Sequence, residues 1–405
     1  MTVRSVLRPQ PIGLFDGPAG LLLVTEGDGA SEVLDGLAQG RVPAAWPSAA
    51  DVLAAAVRDD IDGAVASLGD DVESVINRLV LQPTADHLSA AREVTEADRA
   101  LRTLVDAAAY ASGLSDEPPV SDGVDGEFAV LALTVRAARA LEFKDSRGAL
   151  RTLRDAVPFA ASVGPALHAR VLAMLAEHQQ QHGGGENALE LYDEAINLLH
   201  PTDLAEFRAG LHLQRGLVAH QLADVQRHRL LEAIRSYQSA LIVLTEEDHP
   251  EQFALANMNI AIAILSMPMT QASDQVRLGV AVQSLRAALR VFRPDTHPYE
   301  WSSSQMNLAN ALQYLPSKHR QDNIEEAVEL YEEVLAFRSP RSDPLGYARV
   351  LANQANALAH LAIFEHAAAK YSEARGLFAA NGDTEAVEVI DRQLLQIDEQ
   401  RSVAE

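Results

Sequence analysis

The 405-residue sequence contains no cysteine, only 5% aromatic residues and no long apolar run. Without cysteine the chain has no disulfide, no cysteine-ligated zinc or iron–sulfur centre and no thiol nucleophile. The most apolar N-terminal stretch, residues 20–24, is too short for a signal peptide or a membrane span. We therefore expect a cytoplasmic protein that makes no contact with a membrane.

Basic residues are also scarce, with 33 Lys+Arg against 57 Asp+Glu and a net charge of −24. Residues 1–125 hold 21 acidic residues, 8 arginines and no lysine, a net charge of −13. Such a chain repels nucleic acid and anionic lipid but attracts a basic protein surface, so we expect no nucleic-acid partner. The 48% apolar content suits a folded protein, and the length favours two domains or a repeat array over one core.

A pattern of small and large residues recurs six times along the chain. In each copy an Ala is followed four residues later by Leu or Tyr and seven residues later by Ala or Val, which is the spacing of one helix face. Successive copies lie 39 to 48 residues apart. The large residues of the six copies are Leu153, Tyr192, Tyr237, Leu285, Tyr331 and Tyr371.

Proline marks a second helix upstream of the later copies. Residues 249–250 and 297–298 are His-Pro, and Asp343 precedes Pro344. Proline is tolerated at the first position of a helix, and Asp343 is a good N-cap residue. Each repeat is therefore predicted to be a helix that starts at proline, a connection, and a second helix that carries the small–large–small stripe.

Residues 307–312 (Asn-Leu-Ala-Asn-Ala-Leu) and 353–358 (Asn-Gln-Ala-Asn-Ala-Leu) resemble the first helix of the tetratricopeptide repeat. The last copy also has that family's spacing of twelve residues between Ala355 and Ala367, whereas copies four and five carry eight and six extra residues between their helices. The chain is thus similar to bacterial tetratricopeptide proteins with lengthened repeats. The resemblance implies an all-α fold, a right-handed α-solenoid of about six helical hairpins with a smaller, mostly helical N-terminal domain.

Four regions are predicted along the chain. Residues 1–112 form an acidic, mostly helical N-terminal domain with an irregular or hairpin-like arm at 3–25, and helices are expected at 49–58, 61–68, 72–81 and 85–112. Residues 113–127 are a linker by composition. Residues 128–380 are the repeats. Residues 381–405 form a C-terminal capping helix and tail, whose exposed side is an alternative surface for a homodimer contact.

The resemblance also implies a binding groove lined by the first helices of copies four to six. The matching residues are Asn259, Asn307, Asn310, Arg349, Asn353 and Asn356. An amide offers a donor and an acceptor to a peptide bond, and Arg offers two donors to a carboxylate. The alternative is that these Asn side chains bond between adjacent repeats and only hold the stack. Ile262 stands where copy four would need an Asn, so the series is incomplete.

His178 and His182 are four residues apart on a predicted helix, a spacing that can chelate a metal. Gln179 stands where a metalloprotease would have Glu, and no further ligand set completes the site. A structural or solvated pair is therefore favoured, and no cofactor is expected.

These observations favour a non-enzymatic scaffold or adaptor that binds another protein or a peptide and serves its assembly, regulation or delivery. An alternative is a tetratricopeptide receptor for a signal peptide that lacks its own DNA-binding domain, because the first 125 residues are acidic. An enzyme has the least support, since no catalytic motif stands out.

Overall fold

The computed structural model describes residues 15, 17–224, 226–268 and 272–404. Within these residues it contains two short 3₁₀ helices, Gly17–Leu21 and Ser48–Ala50, and nineteen α-helices. The chain divides into two compact units, Met1–Val218 and Ala219–Glu405. None of the described helices is both long enough and apolar enough to cross a membrane.

The first unit begins with six short helices. They are α1 Ala30–Ala38, α2 Asp51–Val57, α3 Ile61–Ala66, α4 Val72–Leu81, α5 Ala85–Val94 and α6 Arg99–Ala111. Helix α1 was not predicted from the sequence; it follows Gly29, which has a left-handed conformation (φ 83°). Of the predicted arm, residues 3–14 and 16 lie outside the described residues. Leu23, near its end, is bound by the buried Asn77 amide, which accepts from the Leu23 N–H at 2.7 Å and donates to its carbonyl at 2.8 Å.

The helix predicted over residues 85–112 is two helices, α5 and α6. The Thr95 hydroxyl donates to the Ala91 carbonyl at 2.7 Å, and the Asp98 side chain accepts from the Leu101 N–H at 3.0 Å. Side chains that bond to nearby backbone groups compete with helix hydrogen bonds, and Asp is a strong N-cap residue. Residues 95–98 therefore end one helix and start the next. Buried Leu and Ala residues of α4, α5 and α6 pack with Phe128 of the following helix in one core.

Two helical hairpins complete most of the first unit. They are α7 Gly126–Glu142 with α8 Ser146–Val163, and α9 Pro165–Gln181 with α10 Gly185–Leu199. Helix α8 also packs against α9, so each hairpin contacts the next. Helix α11, Ala205–Gln221, follows, and the division between the two units falls within it.

The second unit repeats the same arrangement. Helix α12 spans Arg227–Ala240, and three hairpins follow it: α13 Pro250–Leu265 with α14 Ala272–Val291, α15 Pro298–Tyr314 with α16 Arg320–Phe337, and α17 Pro344–His360 with α18 Phe364–Ala380. Helix α19, Thr384–Ala404, packs on α18 through the buried Ile390 and Ile397. The chain is therefore an all-α solenoid of tetratricopeptide-like hairpins, as predicted.

The small–large–small stripes are buried, which explains the repeat in the sequence. Each of the six large residues is at most 4% exposed, and the flanking Ala and Val residues of the stripes are at 0%. Small side chains let the paired helix approach closely, and the Tyr or Leu fills the space beside them. Removing one such aromatic side chain would cost about 3–5 kcal/mol of stability, the range for large-to-small core substitutions.

The helix starts also follow the sequence. Helices α13, α15 and α17 begin at Pro250, Pro298 and Pro344, and the Asp343 side chain accepts from the Gly346 N–H at 2.9 Å. Copies four and five have extra residues between their stripes and their first helices, and part of these residues lengthens the second helix of each hairpin. Helix α16 begins seven residues before Ala327, whereas α18 begins three residues before Ala367.

Candidate partner-binding groove

The first helices of the last three hairpins share one face of the second unit. Helix α13 contacts α15, and α15 contacts α17. Each helix carries a row of positions, three or four residues apart, that lie on one face of the helix and include the predicted Asn series. We call this row the first-helix strip; it consists of Leu255, Asn259, Ile262, Ser303, Asn307, Asn310, Tyr314, Arg349, Asn353, Asn356 and His360.

Within the strip, Asn310 links two adjacent hairpins. Its Oδ1 atom accepts from the Tyr331 hydroxyl at 2.6 Å and from the Asn353 amide at 3.0 Å. Tyr331 lies on α16 and Asn353 lies on α17, so one amide oxygen joins three helices. A fully buried hydroxyl needs a partner, because leaving it unsatisfied costs about 1–3 kcal/mol. Asn310 therefore contributes to the packing of the last two hairpins.

Asn356 makes the second link between α15 and α17. Its amide nitrogen donates to Gln313 Oε1 and to the Tyr314 hydroxyl, each at 3.1 Å. Gln313 is 2% exposed, and its own amide donates to the Tyr331 hydroxyl at 2.5 Å. The contacts of Asn310 and Asn356 thus meet at Tyr331 and form one continuous polar network.

Asn307 and Asn259 have different environments from these two. The Asn307 amide nitrogen donates to the Ser303 carbonyl at 2.9 Å, within the same helix. Asn259 is 7% exposed, and its amide nitrogen has no hydrogen-bond partner among the described residues. The structure therefore places Asn310, Asn353 and Asn356 in one network and leaves Asn307 and Asn259 outside it.

Arg349 lies beside a depression of about 360 Å³ at the end of the strip. The depression is bordered by Ala352 and Asn353 of α17, and by Ala386 and Val389 of α19. The guanidinium is exposed and makes no ion pair within the described part of the chain. Asp383 and Glu385 also border the depression, so the cation faces a site with apolar and acidic walls.

The strip is otherwise nearly free of charge. Along α15 and α17 its exposed or half-buried residues are Ser, Asn, Tyr and His, with Arg349 as the only ionised side chain of the strip. Burial and the nearby Arg320 lower the pKa of His360, which keeps that imidazole neutral near pH 7. This contrasts with the net charge of −24 for the whole chain. The side chains of the strip can therefore offer hydrogen bonds and one positive charge, and carboxylates border it at the depression beside Arg349.

Two residues of this site were not predicted from the sequence: Tyr314, which belongs to the strip, and Gln313, which belongs to its network. Both follow Asn310 by three or four residues, the spacing that places side chains on one face of a helix. This spacing was the signal that could have identified them. Tyr331, predicted to be a packing residue, is fully buried but also supplies the hydroxyl at the centre of the network.

The two predicted metal candidates, His178 and His182, are engaged in local contacts. His178 is 5% exposed, and its Nε2 lies 3.0 Å from the Ser146 carbonyl, to which it donates. His182 Nδ1 lies 2.8 Å from the His178 carbonyl, and the two rings stack with centroids 4.3 Å apart. Burial, followed by the positive potential of His182 and Arg154, lowers the pKa of His178. Among the described residues, no group of three or more His, Asp or Glu side chains is arranged to hold a metal ion.

Comparison with known proteins gives fold resemblances only. No family model matches the chain, and no curated protein matches it. Similar solved structures include apo RapI, which is 12% identical and matches 87% of this chain and 96% of its own with a TM-score of 0.48. PilW, a type IV pilus biogenesis factor, is 15% identical over 64% of this chain and 97% of its own, with a TM-score of 0.42.

A third similar structure is the TPR2AB domain of yeast Sti1 in its complex with pHSP90. It is 16% identical over 67% of this chain and 100% of its own, with a TM-score of 0.27. All three TM-scores lie below 0.5, so these likenesses carry no argument about function. The tetratricopeptide-like character of the chain rests on its own helix pairs and buried stripes.

Proposed function

We propose that this chain is a non-enzymatic scaffold or adaptor that binds a segment of another protein on the first-helix strip. The observation that carries the proposal is the composition of the strip: amide, hydroxyl and guanidinium groups on three adjacent helices, in a chain that is otherwise strongly acidic. Amides that pair with a peptide backbone and one Arg that pairs with a carboxylate suit an extended protein segment.

The strip residues divide into two roles in this proposal. Asn310, Asn353 and Asn356 each use one amide atom for a hydrogen bond between neighbouring hairpins. In this proposal they hold the stack, which is the alternative role considered for the Asn series. Asn307 and Arg349 make no side-chain hydrogen bond or ion pair between hairpins among the described residues, so they are the better candidates for contacts with a partner alone. Replacing these two residues should therefore remove binding without weakening the fold.

The experiment compares partner retention by the full-length protein and by the double variant Asn307→Ala/Arg349→Ala. The immobilised proteins are exposed to extract from the native cells, and retained proteins are identified by mass spectrometry. Loss of an Arg contact and an amide contact should weaken binding by about tenfold or more, because hydrogen bonds to charged groups contribute about 1.5–3 kcal/mol. Thermal unfolding followed by circular dichroism should be unchanged.

Ser372→Ala is the matched control, because Ser372 is an exposed residue of the second helix α18 and its hydroxyl bonds only within that helix. It should retain the same partner as the wild type. If the double variant keeps its partner, or if the wild type retains none, the proposal fails. A receptor for a short signal peptide would use the same strip, and it would be distinguished by a retained ligand of only a few residues.

A further inference from the structure

A second depression, of about 790 Å³, lies in the second unit between α16 and the turn that joins α17 to α18. We call it the step groove. Its apolar floor consists of Ile324 and Val328 of α16 with Leu358, Leu361 and Ile363 of the turn region. Ile363 is 41% exposed, so part of this floor is open to solvent. The volume falls in the range of sites that hold several side chains or a small ligand.

The step groove exists because adjacent hairpins differ in length. Helix α16 extends seven residues before its stripe residue Ala327, whereas α18 extends only three residues before Ala367. The difference is about one helical turn. The first turn of α16 therefore projects past the shorter hairpin that follows, and its apolar side has no equivalent turn of α18 beside it.

The acidic residues along α16 divide according to whether they border this groove. Glu326, Glu332 and Glu333 each bond to a side chain of a neighbouring helix. Their partners are Arg286 at 2.9 Å, Gln354 at 2.7 Å and Gln305 at 2.5 Å. Glu325 and Glu329 border the groove, are exposed, and pair with no cation among the described residues. Among the described residues, the one side-chain hydrogen bond of this pair comes from the Gln321 amide, which donates to Glu325 at 2.9 Å.

The remaining charge on the rim is the guanidinium of Arg320 at the first position of α16. His360 also borders the groove but is kept neutral near pH 7 by burial and by Arg320, as described above. The groove thus has an apolar floor and two uncompensated carboxylates one helical turn apart. A carboxylate next to an apolar surface is complemented by a cation whose flanking groups are apolar.

We propose that the step groove is a second docking site, separate from the first-helix strip, for a partner segment in which apolar side chains flank a Lys or Arg. The apolar side chains cover Ile324, Val328 and Ile363, and the basic side chain pairs with Glu325 and Glu329. Arg320 favours an acidic or carboxyl-terminal group at the other end of the segment. Burial of the apolar side chains supplies most of the affinity, and the carboxylate pair selects the basic residue.

The test is a selection of displayed random 12-residue peptides on the full-length protein. Each enriched peptide is then measured against the wild type, Glu325→Gln/Glu329→Gln and Asn307→Ala/Arg349→Ala. We expect a class of peptides with a basic residue between apolar residues. This class should bind the Glu-to-Gln variant at least about fivefold more weakly, since two charge pairs at a partly exposed site are lost. Its binding to the Asn307→Ala/Arg349→Ala variant should be unchanged.

Glu190→Gln/Glu194→Gln is the matched control, because these exposed residues of α10 are also one turn apart and remove the same net charge. It should bind the peptides as the wild type does. The proposal is overturned if no basic class is enriched or if the control variant weakens binding equally. It is also overturned if the wild type sediments as a dimer that Glu325→Gln/Glu329→Gln disrupts, since the groove would then be occupied by a second copy.

Discussion

At the residue scale, two tyrosines at equivalent places in their repeats have different hydroxyl environments. Tyr237 and Tyr331 are both at 0% exposure on the stripe of a second helix. The Tyr331 hydroxyl donates to Asn310 and accepts from Gln313, whereas the Tyr237 hydroxyl has no hydrogen-bond partner among the described residues. The same residue type therefore contributes polar specificity in one repeat and only packing in the other.

Removing each hydroxyl should consequently have different effects. Tyr331→Phe should lower the free energy of unfolding by about 1–2 kcal/mol, because it leaves the Gln313 amide without its buried partner. Tyr237→Phe should be neutral or slightly stabilising, since it removes a buried hydroxyl that makes no bond. Urea denaturation of both variants measures the difference. Equal destabilisation by the two substitutions would show that the network does not hold the last two hairpins.

At the element scale, the first helices of the last three hairpins share one feature at their N-terminus. Each begins at a proline, and Asp343 caps α17 by accepting from the Gly346 N–H. Helices α13 and α15 have His at the same position, with no side-chain cap hydrogen bond. Of these three helices, α17 is thus the one with an N-terminus capped by a side chain, that of Asp343.

Asp343→Ala should cost about 1 kcal/mol of stability through loss of this cap, whereas Asp343→Asn should cost much less because Asn also accepts from the backbone. The ion pair of Asp343 with Arg338, at 3.2 Å, is exposed on the Asp side and should contribute little to either result. Thermal unfolding of the two variants gives the comparison. An Asn variant as unstable as the Ala variant would indicate that the ion pair, and not the cap, is the important contact.

The helices of the repeats were predicted more completely than those of the N-terminal region, and the reason is physical. The stripes and the prolines recur, so each copy supports the others, and the hairpins in residues 126–380 follow from them. Helix α1 and the break at residues 95–98 depend on single local features, Gly29 and the Thr95 and Asp98 side chains. Such features do not recur and were not identified.

The candidate site was predictable in part for the same reason. The Asn residues of the strip recur at matching positions, but their partners Gln313 and Tyr331 become visible only when two helices are placed side by side. The step groove results from unequal hairpin lengths. The sequence shows the extra residues in copy five, but it does not show that most of them lengthen α16 and only the rest its connection.

At the scale of the whole molecule, the stability of the fold should depend on pH through five histidines, which lie on helices α9, α11 and α17. Burial lowers the pKa of each of them; they are His168, His178, His212, His220 and His360. A histidine whose pKa is lower in the folded state binds protons more weakly there than in the unfolded chain. The stability it contributes is therefore complete above the unfolded pKa of about 6.5 and is lost as the pH falls through the folded value.

We accordingly expect the free energy of unfolding to be lower at pH 5 than at pH 8. His178→Gln should reduce the size of this pH dependence, because it removes one of the groups responsible and keeps a donor toward Ser146. Urea denaturation at the two pH values measures both effects. A wild type as stable at pH 5 as at pH 8, or a variant with a larger pH dependence, would contradict this explanation.

The central claim is that a partner protein lies on the first-helix strip, and site-specific photo-cross-linking tests it most directly. A photoreactive phenylalanine is placed at Ser303, on the strip beside Asn307, or at Ser372, on the exposed side of α18. After irradiation in the native cells, we predict that one partner is covalently attached at position 303 and that the same partner is absent at position 372. Attachment of that partner only at position 372, or equally at both, would contradict the claim.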